Sequence, residues 1–158
     1  MKLNYLFPNR FKKIGLIILI PSIILGLITV INDLEPESLD LNVPAVFVNE
    51  LMGDQEIFSM TNNNILNEIC GALLIISLIL VSFSKEKQED ELIAKIRLES
   101  LVWATYLNYG ILLFAMLFVY ELSFLWVMIF NMFTILMFFI IRFNWQVMKL
   151  NKSLSYEE

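Results

Sequence analysis

The sequence predicts an all-α, polytopic membrane protein: four transmembrane helices, N and C termini cytoplasmic, helices three and four forming a tight hairpin. Three observations predict it. The first is composition: 58% of the 158 residues are apolar and the mean hydropathy is +0.71, whereas a soluble domain carries about 45 to 50% apolar residues. The second is a set of four apolar runs, about 14–31, 65–83, 101–120 and 122–141. At about 1.5 Å rise per residue each reaches roughly 27 to 30 Å, the thickness of the hydrocarbon core. Lipid offers no partner to an exposed backbone group, so each run must be helical. The third is the placement of the cations. Lys2, Arg10, Lys12 and Lys13 precede the first run, Lys85, Lys87, Lys95 and Arg97 separate the second from the third, and Arg142, Lys149 and Lys152 follow the fourth. Basic loops stay cytoplasmic during insertion, so the pattern predicts a multi-pass protein of the inner (plasma) membrane, with residues 1–158 forming a single membrane domain.

The first run is longer than the roughly 7 to 15 apolar residues of a secretion signal and no small-x-small cleavage site follows it, so it reads as a retained anchor. Pro21 lies in its middle, where it removes a backbone hydrogen bond and predicts a bend. Ser22 and Gly26 form a small-xxx-small pair that admits a close neighbouring helix. The segment 32–64 carries Asp33, Glu35, Glu37, Asp40, Glu50, Asp54 and Glu56 and no Lys or Arg. It reads as an acidic outer loop, a partly ordered surface, with Val43 to Val48 as an apolar patch suited to the membrane surface or to a strand. Thr61 to Asn64 supply polar caps for the second helix.

Between the second and third runs an inner amphipathic helix is expected over about 87–99. Leu92, Ile93 and Ile96 share one side, Lys87–Glu91 and Glu91–Lys95 are i,i+4 charge pairs, and acids precede bases as the helix dipole prefers. With no Gly or Pro before Gly110 it should run directly into the third span, so the chain must reverse near residues 84–86. Glu89, Asp90 and Glu91 point about 100° apart on a helix and converge poorly on one ion. They are read instead, with Lys95 and Arg97, as candidate docking charges for a cytosolic partner. The third and fourth runs meet at Glu121 without Gly or Pro, and at about 60 Å their combined length excludes a single crossing.

Within the spans, Asn108 and Asn131 lie at similar depths and form a candidate interhelical amide pair. Glu68 and Glu121, near the outer ends, are candidate cation or proton contacts. Thr105, Thr134 and Ser77 are expected to bond their own helix backbone. Trp103, Trp126, Trp145, Tyr106, Tyr109 and Tyr120 anchor the interfaces where they fall near span ends.

Enzymatic signals are missing from the sequence. There is no His, the commonest general base and metal ligand. The single Cys, Cys70, forms no disulfide within the chain and no CxxC site. No phosphate-binding glycine loop and no paired basic and aromatic surface for nucleic acid is present. The expectation is therefore no catalytic residue, cofactor or metal site and no direct nucleic-acid binding. The leading reading is an interaction or regulatory membrane protein presenting the inner helix to a partner, with homo-oligomers compatible. The alternative is a small transport or cation-sensing protein using the acidic loop with Glu68 and Glu121.

The opening Leu6-Phe-Pro-Asn-Arg-Phe-Lys-Lys-Ile-Gly15, the Asn63-Asn-Ile-Leu-Asn-Glu-Ile69 entrance to the second run, the stretch from Phe83 to Ser100 and Phe138-Phe-Ile-Ile-Arg-Phe143 together resemble a family of small, uncharacterised four-helix inner-membrane proteins of Bacteroidota. The resemblance covers most of the chain outside the acidic loop. It implies the same fold and no particular activity, and it suggests a cytosolic partner of the helix-turn-helix regulator class.

Overall fold

The computed structural model describes residues 5–32, 34–49, 55–87 and 89–154. Lys2, Asp33, Glu50 and Asp54 lie outside them. Among the described residues the chain is mainly helical: α1 (Asn9–Asn32), α2 (Leu66–Ser82), α3 (Glu91–Phe118) and α4 (Leu122–Leu154), with strands β1 (Asp40–Asn49) and β2 (Gln55–Asn64) between α1 and α2. Three of the helices, α1, α3 and α4, are long and apolar enough to cross a membrane. α2 has 17 residues, about 25 Å of helix, at the lower end of the spanning range.

The chain divides into two compact units, one of residues 1–19 and 75–158, the other of residues 20–74. In the first, α3 and α4 pack as an antiparallel pair around Ile93, Ala104, Phe139 and Phe143, with Ile96, Leu101, Phe138 and Val147 against them. Phe139 stacks on Phe83 and on Phe143 at ring separations of 6.1 and 5.7 Å. The helix pair turns through Val119 to Glu121, where the Val119 amide donates to Ala115 and the Phe124 amide to Glu121. Glu121 itself adopts φ 60°, the left-handed region in which a residue other than Gly costs roughly 1–2 kcal/mol. That is why the turn carries no Gly or Pro signal: a glutamate fills a position that sequence rules assign to Gly.

The second unit departs from the expected acidic loop. Residues 40–49 and 55–64 pair as antiparallel strands whose register sets Asp40 against Asn64, Val43 against Thr61 and Phe47 against Ile57. The apolar stretch from Val43 is thus part of a strand. Phe58 takes φ 59°, and the ladder lacks a pair between Val46 and Phe58. The base of the hairpin is tied by Asn64, whose amide donates to the Pro36 carbonyl at 2.9 Å and to the Asp40 carboxylate at 2.6 Å, while the Ile65 amide donates to Leu39. The Asn64 side-chain oxygen also accepts the Leu66 amide at 3.3 Å, so it caps the entry to α2 as the polar run 61–64 predicted.

α1 runs unbroken through Pro21. Its small residues have unequal roles. A Cβ at Gly26 would meet Leu74 at an ordinary 3.6 Å, whereas a Cβ at Gly15 would lie 2.8 Å from Val81 Cγ2, 3.0 Å from Leu80 Cβ and 3.1 Å from the Val81 amide nitrogen. Of these two glycines, Gly15 is therefore the one packed tightly against α2, outside the expected Ser22–Gly26 pair. Gly15→Ala is predicted to lower stability in detergent by about 1–3 kcal/mol through overpacking, and Gly26→Ala to leave it near wild type. Equal melting temperatures for the two variants would contradict this assignment of the contact.

Candidate functional site

The polar residues of the first unit converge where α2 ends and α3 begins. α2 terminates at Ser82, leaving carbonyls that its own ladder no longer satisfies. The Phe83 amide closes one onto Ile79, and the Ser84 hydroxyl donates to Leu80. Arg97, in the second turn of α3, reaches two further carbonyls, at Ser82 and just past the helix at Ser84. Its Nη1 donates to the Ser82 carbonyl at 3.0 Å and its Nη2 to the Ser84 carbonyl at 3.3 Å and to both carboxylate oxygens of Glu89 at 3.2 Å. The guanidinium lies 4.5 Å from the ring centre of Phe143. Arg97 is 5% exposed, a burial that arginine tolerates only when paired and hydrogen-bonded. A cation at a helix C-terminus is also favoured by the dipole of α2.

The connector between the two helices is held from its other side as well. The Phe7 amide donates to Phe83 at 2.8 Å and the Lys85 amide to Phe7 at 2.9 Å, a parallel bridge of the N-terminal segment onto residues 83–85. The Asn9 side chain donates to the Lys85 carbonyl at 2.6 Å. Lys12 pairs with Glu86 and donates to the Asn144 side chain at 3.1 Å, and the Glu86 amide donates to Glu89 at 2.8 Å. Asp90 then caps α3, its carboxylate accepting the Ile93 amide at 2.7 Å.

This geometry redistributes the candidate docking charges. Glu89 is bound to Arg97, Arg97 is buried, and Asp90 is a helix cap, so these three hold the fold together. α3 begins at Glu91, not near residue 87, because Asp90 occupies the cap and Glu89 turns back to Arg97. Lys87 therefore stands before the helix, out of the i,i+4 register expected with Glu91. Lys95 pairs loosely with Glu99 at 3.9 Å. The exposed face of this first part of α3 carries Leu92, Leu98 and Val102 beside Lys95 and Glu99.

The amide pair is also rearranged. Asn108 is 3% exposed, and its side-chain oxygen accepts from the Thr134 hydroxyl at 2.6 Å. Thr134 lies one turn beyond Asn131, whose backbone carbonyl it also approaches at 3.3 Å. The polar contact between α3 and α4 is thus amide to hydroxyl. Thr105 bonds its own helix at Leu101. Glu68 is exposed and accepts from Asn63 at 2.8 Å; Glu121 is exposed in its turn. Among the described residues no three His, Cys, Asp or Glu side chains are placed to share a metal ion. Cys70 is buried.

No protein-family model, curated protein or solved structure matches the chain.

Of these residues Arg97 is the one the sequence undervalues, because its partners at Ser82, Ser84 and Glu89 belong to another helix and a connector. Truncating one partner of a buried ion pair typically costs about 3–5 kcal/mol, so Arg97→Ala should lose stability on that scale. Glu89→Gln should lose less, since the two carbonyl bonds survive. A double-mutant cycle should give a coupling above about 0.5 kcal/mol; additivity would mean the contact is not formed. Across the helix hairpin, Thr134→Val and Asn108→Leu should each lose roughly 0.6 to 2 kcal/mol and couple to one another, with Asn131→Leu uncoupled from Asn108. Coupling of Asn108 to Asn131 instead would restore the amide pair.

Proposed function

We propose that this chain is a non-catalytic, four-span membrane protein, both termini cytoplasmic, that displays the first turns of α3 to a cytosolic protein partner. The carrying observation is the clamp at the start of α3. Asp90, Arg97 and the N-terminal bridge immobilise these turns while Leu92 and Glu99 stay exposed on their side. A binding surface held rigid in advance loses less conformational freedom on association. The topology rests on the segregation of all eleven cations from the acidic segment that includes the hairpin, as basic loops remain inside, with α2 as the fourth span. A helix-turn-helix regulator is one partner class consistent with the resemblance of the sequence. The transport or cation-sensing alternative through Glu68 and Glu121 gains no support from the geometry, since one is bonded to a neighbouring asparagine and the other lies in a solvent-facing turn.

Two measurements test this reading. In a variant whose Cys70 is replaced by Ala, a cysteine at Asp40 should react with an impermeant thiol reagent applied from outside the inner membrane, and cysteines at Lys87 or Lys149 should be protected. Outside labelling of Lys149 would overturn the topology. Purification from native membranes should yield a stoichiometric soluble protein, released by Leu92→Asp with Glu99→Lys while the melting temperature stays unchanged. Retention of that protein by the double variant, or no partner with the wild type, would overturn the docking role.

A further inference from the structure

Two arginines of the first unit stack on aromatic rings, and they differ in what else they hold. Arg97 lies 4.5 Å from the ring centre of Phe143, and its two Nη groups are engaged by Ser82, Ser84 and Glu89. Arg142 of α4 lies 4.6 Å from the ring centre of Trp103 on α3. It is half-buried, and its Nε is enclosed with no hydrogen-bond partner. Among the described residues its guanidinium enters none of the ion pairs, which join Lys12 to Glu86, Lys95 to Glu99 and Arg97 to Glu89. Glu99, one turn before Trp103, leans to Lys95 at 3.9 Å. A cation that has lost part of its hydration calls for a hydrogen-bonded counter-ion. The chain gives Arg142 a ring and no anion.

The level of the pair says which anion is at hand. Residues 100–118 of α3 and 122–141 of α4 carry no charged side chain. Trp103 stands at the start of the first uncharged stretch and Arg142 just past the end of the second, so two antiparallel helices mark one boundary. In membrane-spanning helices such a boundary lies where acyl chains give way to headgroups, the level at which tryptophan and arginine gather. The anions of that layer are phosphates. A guanidinium presents two parallel N–H donors that match two phosphate oxygens, and an aromatic face beneath it fixes the plane of the fork. With Nε enclosed, the Nη1–Nη2 edge is the one left to make that contact.

From this geometry we propose that Arg142, held on Trp103, binds the phosphate of one phospholipid in the cytoplasmic leaflet, whose acyl chains lie along the uncharged stretches of α3 and α4. The site rests on the membrane placement and orientation proposed above, and not on a protein partner. Recovery of the chain in the membrane fraction and the cysteine labelling test that reading separately.

The full-length protein, purified in detergent and stripped of lipid, would be titrated with phosphatidylglycerol, with diacylglycerol of the same chains, which lacks the phosphate, and with inorganic phosphate, and bound ligand counted by native mass spectrometry. One phosphatidylglycerol per chain is expected, and neither diacylglycerol nor inorganic phosphate at equal concentration. Arg142→Gln should weaken phosphatidylglycerol about tenfold or more. Arg142→Lys, which keeps the charge and loses the fork, should weaken it severalfold. Lys149→Gln, which removes an exposed cation two turns further along the same helix, should change it by less than about twofold. Melting temperatures without lipid show which variants are folded, and the wild-type comparison stands whether or not they are. Binding of diacylglycerol as tight as that of phosphatidylglycerol, or no bound lipid in the wild type, would overturn the site. Equal binding of inorganic phosphate would assign it to a soluble anion and overturn the lipid. Equal losses in Lys149→Gln and Arg142→Gln would reduce it to diffuse attraction by the basic end of α4, and undiminished binding by folded Arg142→Gln or Arg142→Lys would contradict the fork.

Discussion

A single buried guanidinium organises one end of this molecule. Arg97 has no water to lean on, so every favourable contact it makes must come from the protein. It finds them in the open carbonyls at the end of α2, the Glu89 carboxylate and the face of Phe143. Each partner would be costly to leave alone: the carbonyls because α2 cannot satisfy them itself, the carboxylate because it is drawn inward. Bringing them together fixes the distance between α2 and α3, and with it the path of the connector. The N-terminal segment then adds its own bridge at Phe7 and its ion pair at Lys12. Four separate stretches of chain meet there, although the apolar surfaces of the helices alone would specify their contacts only loosely.

The same economy explains why residues that look functional in the sequence are structural in the fold. Helical periodicity shows that Glu89, Asp90 and Arg97 are charged residues near a helix start, but not which surface each one meets. Asp90 behaves as local chemistry requires, since an aspartate before an apolar helix is a cap. Glu89 and Arg97 are bound to one another across eight residues, a separation at which a helical wheel is silent because one of them is not in the helix. What stays exposed at the start of α3 is a narrower surface than the charge run suggests, with Leu92, Lys95 and Glu99 on it.

Much of the helical architecture is legible in the sequence, because hydrophobic runs of spanning length leave the backbone little choice. The continuous α3, the reversal before it and the hairpin at Glu121 follow from the same logic. The β-hairpin is harder to read: β2 is polar and rich in asparagine, β1 contains Pro44, and Phe58 breaks the local pattern by entering the left-handed region. Polar pairing between helices is only half legible. Counting residues from the Glu121 turn brings polar groups of α3 and α4 to one level, but Asn131 and Thr134 are a turn apart on one side, and depth alone does not choose the threonine. Gly15 has no sequence signal beyond its size; its role appears only when Val81 is seen against it.

Amide hydrogen exchange tests the organising role of Arg97 most directly, because stability alone does not show where the effect lies. The Phe7 and Lys85 amides, bonded across the connector, should exchange slowly in the wild type. In Arg97→Met, which keeps much of the side-chain length but removes the donors, both should become labile together, while the Ala115 region and the paired strands 40–49 and 55–64 keep their protection. If Phe7 and Lys85 remain protected in Arg97→Met, the connector is held without the guanidinium, and Arg97 does not organise this end of the molecule.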